Sequence, residues 1–124
     1  MTFEERKNQV KSFLGERVVI GIDRPIGYVH RKEGYTLTYP VNYGYIPGVL
    51  GGDGEELDVY LLGVNEPVSE YECEIIGIVH RHNDVEDKLV GVPVGIRYTK
   101  EEIENAIHFQ EQYYDTEVEV VVVG

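Results

Sequence analysis

The stretch 39–58, YPVNYGYIPGVLGGDGEELD, decides how this chain is read. It sets three carboxylates, Asp53, Glu55 and Asp58, within six residues, behind two tyrosines, Tyr43 and Tyr45, and a run of glycines. If GEELDVYLL were all strand, Asp53 and Glu55 would share one face and Asp58 would take the other, because successive side chains alternate. Gly51, Gly52 and Gly54 predict a turn first, since glycine reaches backbone angles that other residues avoid. A turn that gathers three acids repels itself unless a cation is present, and hard divalent ions take oxygen ligands of this kind. The competing reading is a solvated acidic hairpin turn.

Outward from this stretch the chain reads as strands with a helix near each end. LDVYLLGV (57–64), YECEIIGIVHR (71–81), KLVGVPVG (88–95) and RVVIGID (17–23) are rich in β-branched residues and predict strands. Residues 28–30 and 35–39 predict a hairpin through RKEG (31–34), and the tail VEVVVV a strand or strand-like edge. Pro40 and Pro47 bracket what reads as an irregular loop, holding Asn42, Tyr43 and Tyr45 off regular ladders. Thr2 with Glu5, and Thr99 with Glu102, are capping-box patterns that open a short helix over 2–14 and a longer one over about 99–114. Ile103, Ala106, Ile107, Gln110 and Tyr114 recur at helical spacing in the second. Several strands with short turns and one long helix predict a closed β-barrel rather than a βαβ sheet.

Composition narrows the function classes. With 124 residues and 42% hydrophobic residues, the chain reads as one globular domain over 1–124. A net charge of −12 disfavours nucleic acid and anionic membranes as partners. It would also repel a polyanionic substrate unless bound cations invert the sign locally, an indirect argument for metal in any phosphate chemistry. The single cysteine, Cys73, excludes an internal disulfide and suits a reducing compartment. No signal peptide or long apolar segment is evident, which predicts a cytoplasmic protein. No Gly-Lys-Ser/Thr loop or GxGxxG element supports nucleotide binding by those routes.

YPVNYGYIPG followed by DGEELDVYLLG resembles the signature of the soluble, magnesium-dependent inorganic pyrophosphatases. That signature reads D-G-D-P-hydrophobic-D-hydrophobic after a Y-P-x-N-Y-G-Y segment; here Glu55 stands for the central aspartate and Glu56 for the proline. IGIVHRHNDVEDKLVGVP is similar to the family's second acidic loop, and IHFQEQYYD to its C-terminal helix motif. The resemblance implies a small five-stranded OB-like barrel with helices outside, and hydrolysis of a phosphoanhydride with Mg²⁺, Mn²⁺ being the other candidate. It implies metal binding by Asp53 and Asp58, and by Asp84 and Asp87, with Glu86 able to replace either of the latter two. Glu55 falls on the residue that takes a proton from the attacking water. Lys88, Tyr43, Tyr113 and Arg31 fall on phosphate-binding positions, Lys32 being the neighbouring option to Arg31. A homo-oligomer is the expectation from the family.

Several positions depart from the family pattern. Gly21 replaces a glutamate, Gly27 and Val29 replace a lysine and a glutamate around Tyr28, and Tyr114 replaces a lysine after the helix tyrosine. The metal half of the site is kept and the substrate half is thinned. A metal- and phosphate-binding protein acting as sensor or assembly partner is therefore the competing class. His80 and His82 could form a His-x-His metal pair beside Asp84, or be surface residues at a strand end. The remaining tyrosines, among them Tyr39 and Tyr60, are read as packing residues.

Overall fold

In the computed structural model, residues 2–52, 54–84 and 86–120 are described, Phe3 through its backbone alone. Asp53, a predicted metal ligand, lies outside the described residues.

Helix α1 (Phe3–Lys11) starts where Thr2 accepts a hydrogen bond from the Glu5 amide. The strands are β1 (Arg17–Arg24), β2 (Val29–Lys32), β3 (Tyr35–Thr38), β4 (Asn42–Leu50), β5 (Glu56–Leu61), β6 (Glu70–Arg81), β7 (Lys88–Val92) and β8 (Thr116–Val120). Helix α2 (Lys100–Glu111) precedes β8, and its Thr99–Glu102 capping box is formed in both directions. The sheet runs β1-β4-β5-β7-β6-β8, and β1 also pairs with β6, closing five strands into a barrel. Strands β2 and β3 form a separate hairpin.

Alternation along these strands builds two cores. Leu57, Val59 and Leu61 of β5 join Ile20, Ile46, Cys73, Ile75, Ile78 and Leu89, so all five strands contribute to one cluster, the barrel interior. Val10 of α1, with Phe13 and Leu14 beyond it, packs against that cluster. The opposite faces carry Tyr43, Tyr60, Leu62, Ile76, Val79 and Val90, covered by Ile103 and Ile107 of α2 and Leu37 of the hairpin. An irregularity between Ile75 and Gly77 in β6 keeps Ile75 and Ile78 both inward, because an extra residue resets the alternation.

The region bracketed by Pro40 and Pro47 is not the expected loop. It is β4, paired with both β1 and β5. Pro40 stands before the strand, and Pro47 falls where the β4–β5 register shifts between Tyr45 and Leu50, so its missing N–H breaks no regular ladder. Gly44 explains the YGY spelling. A Cβ there would lie 1.8 Å from the Gly21 carbonyl oxygen, so the two strands cross at a contact only glycine permits.

Candidate active site

The site lies on the outer face of the barrel, between β5, β7, the β2–β3 hairpin and the end of α2. The predicted glycine turn forms, with Gly54 at φ 82° and the Gly51 amide bonded to the Glu55 carbonyl. It ends at Glu56, where β5 begins, so alternation does not separate Glu55 from Asp58 and both line one cavity. Asp58 pairs across the ladder with Tyr45. Gly21 also has a spatial reason: a side chain there would meet the Tyr45 ring at 2.8 Å, so the tyrosine fills the space a glutamate would need.

Lys88 ties the two acidic segments together. Its Nζ donates to Asp58 Oδ2 at 2.7 Å and to Glu86 Oε1 at 2.6 Å, and it is 2% exposed. Tyr43 packs beside it, with Lys88 Nζ 5.4 Å from its ring centroid and the Asp58 carboxylate nearby. Burial, then the Asp58 charge, pushes its phenol well above the usual range, so Tyr43 stays a proton donor.

Two cavities meet at this bridge and share Asp23, Arg24, Asp58 and Glu86. The larger, about 490 Å³, adds Glu55, Glu56 and Tyr45, so its wall carries five carboxylates against one guanidinium. The smaller, about 180 Å³, adds His30, Lys32, Tyr43, Arg81, Lys88, Gln110 and Tyr114, and cations prevail in its wall. Burial raises the Asp23 carboxyl, with Asp58 and Glu56 adding to the rise against the Arg24 charge. His30 is lowered by burial and by the Arg24 and Lys32 charges. The charge balance of the lining therefore shifts from acidic toward basic across the Asp58–Lys88–Glu86 bridge.

Behind the smaller cavity runs a buried chain of hydrogen bonds. Arg24 donates to the Tyr39 hydroxyl at 2.6 Å, Tyr39 to Gln110 at 2.5 Å, Gln110 to the Tyr60 hydroxyl at 2.7 Å, and Tyr60 to Glu111 at 2.5 Å. Glu111 closes it by accepting both Arg81 Nε, at 2.9 Å, and an Arg81 terminal nitrogen. Burial works against the Arg81 charge, but Glu111 outweighs it. Arg81 also lies 3.7 Å over the Tyr114 ring. Tyr39 and Tyr60, read as packing residues, thus fix the orientation of two arginines as well.

Several expected site residues lie elsewhere, three of them one position from a residue that lines a cavity. Asp87 turns away beneath α1, where its carboxylate holds Lys7 at 2.8 Å and Arg6 at 3.4 Å; Glu86 faces the cavities instead. Arg31 is exposed between His30 and Lys32, which line the smaller cavity, as strand alternation requires. Tyr113 stacks on Tyr35, ring centroids 4.5 Å apart, while Tyr114 reaches the cavity. Asp84 bonds Arg81 at 3.2 Å and lines neither cavity. His80 faces Glu119 and Asp87, and His82 faces Glu117, so they do not converge as a metal pair. Asp23, Arg24 and Arg81 have no counterpart in the sequence expectations; a shift between Ile22 and Arg24 in the β1–β4 register marks the first two.

The inorganic pyrophosphatase family model matches residues 15–119. The chain belongs to the inorganic pyrophosphatase family. The inorganic pyrophosphatase of Rickettsia typhi is 29% identical over 106 residues, covering 73% of this chain and 60% of that protein. The Haemophilus influenzae inorganic pyrophosphatase is 39% identical over 74 residues, covering 56% of this chain and 42% of its own length. The chain thus spans about 60% or less of these two relatives. The fold is that of the solved pyrophosphatase from Ehrlichia chaffeensis, with a TM-score of 0.66 at 20% identity over 87% of this chain and 88% of that one. The Coxiella burnetii pyrophosphatase gives 0.61 at 22% identity, covering 86% of each chain. Among the described residues no helix is long and apolar enough to cross a membrane.

The donor set of the larger cavity fits a hard divalent cation. Asp23, Glu55, Glu56, Asp58 and Glu86 offer carboxylate oxygens around one space, without sulfur or imidazole. Among the described residues no three acidic, histidine or cysteine side chains already stand at coordinating distance. Lys88 holds two of them together through their shared ammonium.

Proposed function

We propose that this pyrophosphatase-family chain hydrolyses inorganic diphosphate, or a closely related phosphoanhydride, to phosphate in a divalent-cation-dependent reaction. The observation that carries the reading is the meeting of an acidic and a cationic cavity across the Asp58–Lys88–Glu86 bridge. One compartment suits Mg²⁺ and the other suits phosphoryl oxygens, and a single substrate could touch both.

Asp58 and Glu86, with Asp53 by its place in the motif, would hold Mg²⁺, or Mn²⁺. A bound ion of this type acidifies water and draws charge from phosphoryl oxygens. Glu55, on the wall of the acidic cavity, accepts the proton of the attacking water. The water oxygen forms the new P–O bond, the bridging P–O bond breaks, and the bridging oxygen leaves with the second phosphate. Lys88 and the protonated Tyr43 hold phosphoryl oxygens in line for that displacement. Lys32 takes the phosphate-binding place expected of Arg31, and Glu86 the metal-binding place expected of Asp87.

The test is phosphate release from diphosphate with Mg²⁺, with chelator, and in Asp58→Asn. Release that needs the metal and falls by more than about a hundredfold in the variant, with unfolding unchanged, is the expected result. Full activity in Asp58→Asn would remove the site as drawn. Mg²⁺ and phosphate binding without release would instead favour the sensor or assembly role.

A further inference from the structure

The cations of the smaller cavity differ in what compensates them. Lys88 is committed to Asp58 and Glu86, and Arg81 to Glu111 and Asp84. Arg24 is not committed in this way. Its terminal nitrogen donates to the neutral Tyr39 hydroxyl, and among the described residues no carboxylate lies within ion-pair distance of it. Its guanidinium carbon stands 5.8, 5.6 and 5.7 Å from the ring centroids of Tyr28, Tyr39 and Tyr43, a cradle of three aromatic faces. Such a cradle fixes a guanidinium without cancelling its charge. The buried Tyr39–Gln110–Tyr60–Glu111 chain anchors the hydroxyl that holds it. Lys32, likewise with no carboxylate partner among the described residues, lines the same cavity.

An orientated arginine with no carboxylate at ion-pair distance among the described residues, at the junction of both cavities, is built to meet an anion. The smaller cavity, about 180 Å³, has the volume of roughly six waters and admits a phosphoryl group rather than a nucleoside. Gly27 and Tyr114 stand where the family pattern has lysines, so positive charge expected from those positions is missing. Arg24, at the register shift that ends β1, supplies positive charge from the strand instead.

We propose that Arg24, with Lys32 across the cavity, is a phosphate clamp that holds a phosphoryl group without a divalent ion. The clamp rests on the phosphate reading of the site, though not on turnover. Arg24 supplies a planar pair of donors and Lys32 a point charge, which suits the non-bridging oxygens of one terminal phosphoryl group.

The experiment is titration calorimetry of the full chain with inorganic phosphate, and separately with diphosphate, both in excess chelator. Wild type is expected to bind both anions, Arg24→Gln to weaken them tenfold or more, and Arg24→Lys to recover part of the loss. Lys32→Gln, a change at a partly exposed strand position, is expected to weaken binding several-fold and serves if Arg24→Gln fails to fold. Binding by wild type only when Mg²⁺ is added would overturn the clamp. So would unchanged affinity in folded Arg24→Gln, or in Lys32→Gln should the arginine variant not fold. Clamp and proposed reaction fail separately: anion binding in chelator that depends on Arg24, beside absent phosphate release with Mg²⁺, would retain the first and refute the second.

Discussion

Glu86 lines two solvent-connected cavities, whereas Asp87, next in the chain, is buried beneath α1 among Lys7, Arg6 and His80. Both face basic groups, but the balance differs. Around Glu86 the carboxylates of Asp23, Glu55, Glu56 and Asp58 outnumber the cations of the acidic cavity. Around Asp87 two basic side chains, the Arg81 amide at 3.2 Å and the nearby His80 ring compensate one carboxylate closed off from water. Surplus charge beside an open cavity is available to a ligand. Charge satisfied on every side in the interior serves to hold α1 to the barrel.

Removing charge at the two places should therefore have opposite readouts. Asp87→Asn removes the carboxylate charge that Lys7 and Arg6 share, and we expect a loss of roughly 4 kcal/mol of stability, as for other broken buried pairs. Urea unfolding at neutral pH measures it. Turnover per folded molecule should stay near wild type. A stable Asp87→Asn protein without turnover would mean that Asp87, not Glu86, belongs to the chemistry.

The next largest effect concerns Glu55, which stands where the family carries aspartate. Glu55→Gln should lower kcat by a hundredfold or more, roughly 3 kcal/mol, through loss of the proton acceptor. Stability should not fall, because the carboxylate is exposed at the end of a turn. Glu55→Asp keeps a base and should keep measurable turnover. Near-normal phosphate release in Glu55→Gln would move the base to another carboxylate of the acidic cavity, such as Asp23 or Glu56.

What the sequence disclosed follows from how local each signal is. The glycine turn, the β5 alternation and the Thr99–Glu102 capping box are set by a few adjacent residues, and all three form. The closed barrel was legible because short strands without crossover helices leave few other ways to bury their apolar faces. Choices that depend on side-chain parity were less accessible. Glu86 against Asp87, Lys32 against Arg31, and Tyr114 against Tyr113 each turn on which of two neighbours faces a cavity, and a motif fixes the neighbourhood but not the face. Arg24 was invisible for a related reason. Its approach to Tyr28, Tyr39 and Tyr43 depends on a register shift between β1 and β4, a pairing between segments about twenty residues apart. Pro47 misled because a proline within a strand is tolerated where the ladder is already irregular.

The smallest effect sharpens the comparison through pH. Burial alone would raise the Asp87 carboxyl, but hydrogen bonds to His80 and Lys7, with the Lys7 and Arg6 charges, hold it at about 2. A carboxyl lowered from its usual 3.8 contributes stability above that value and loses it as pH falls toward 2. The contribution is roughly 2 kcal/mol. His80 is raised by its bond to Asp87 and, against burial and the Lys7 charge, by Glu119. Its contribution is therefore full below its usual 6.5 and declines as pH rises through the higher folded value. Glu119, partly exposed and 4.0 Å from Lys11, completes the set of charges facing the ring. The stability gap between wild type and Asp87→Asn, measured in chelator, should be widest between about pH 4 and 6.5 and narrow by roughly 2 kcal/mol on the acid side. A gap that stays constant down to pH 2 would show that Asp87 acts through packing rather than charge. Compensation would then no longer be what separates it from Glu86.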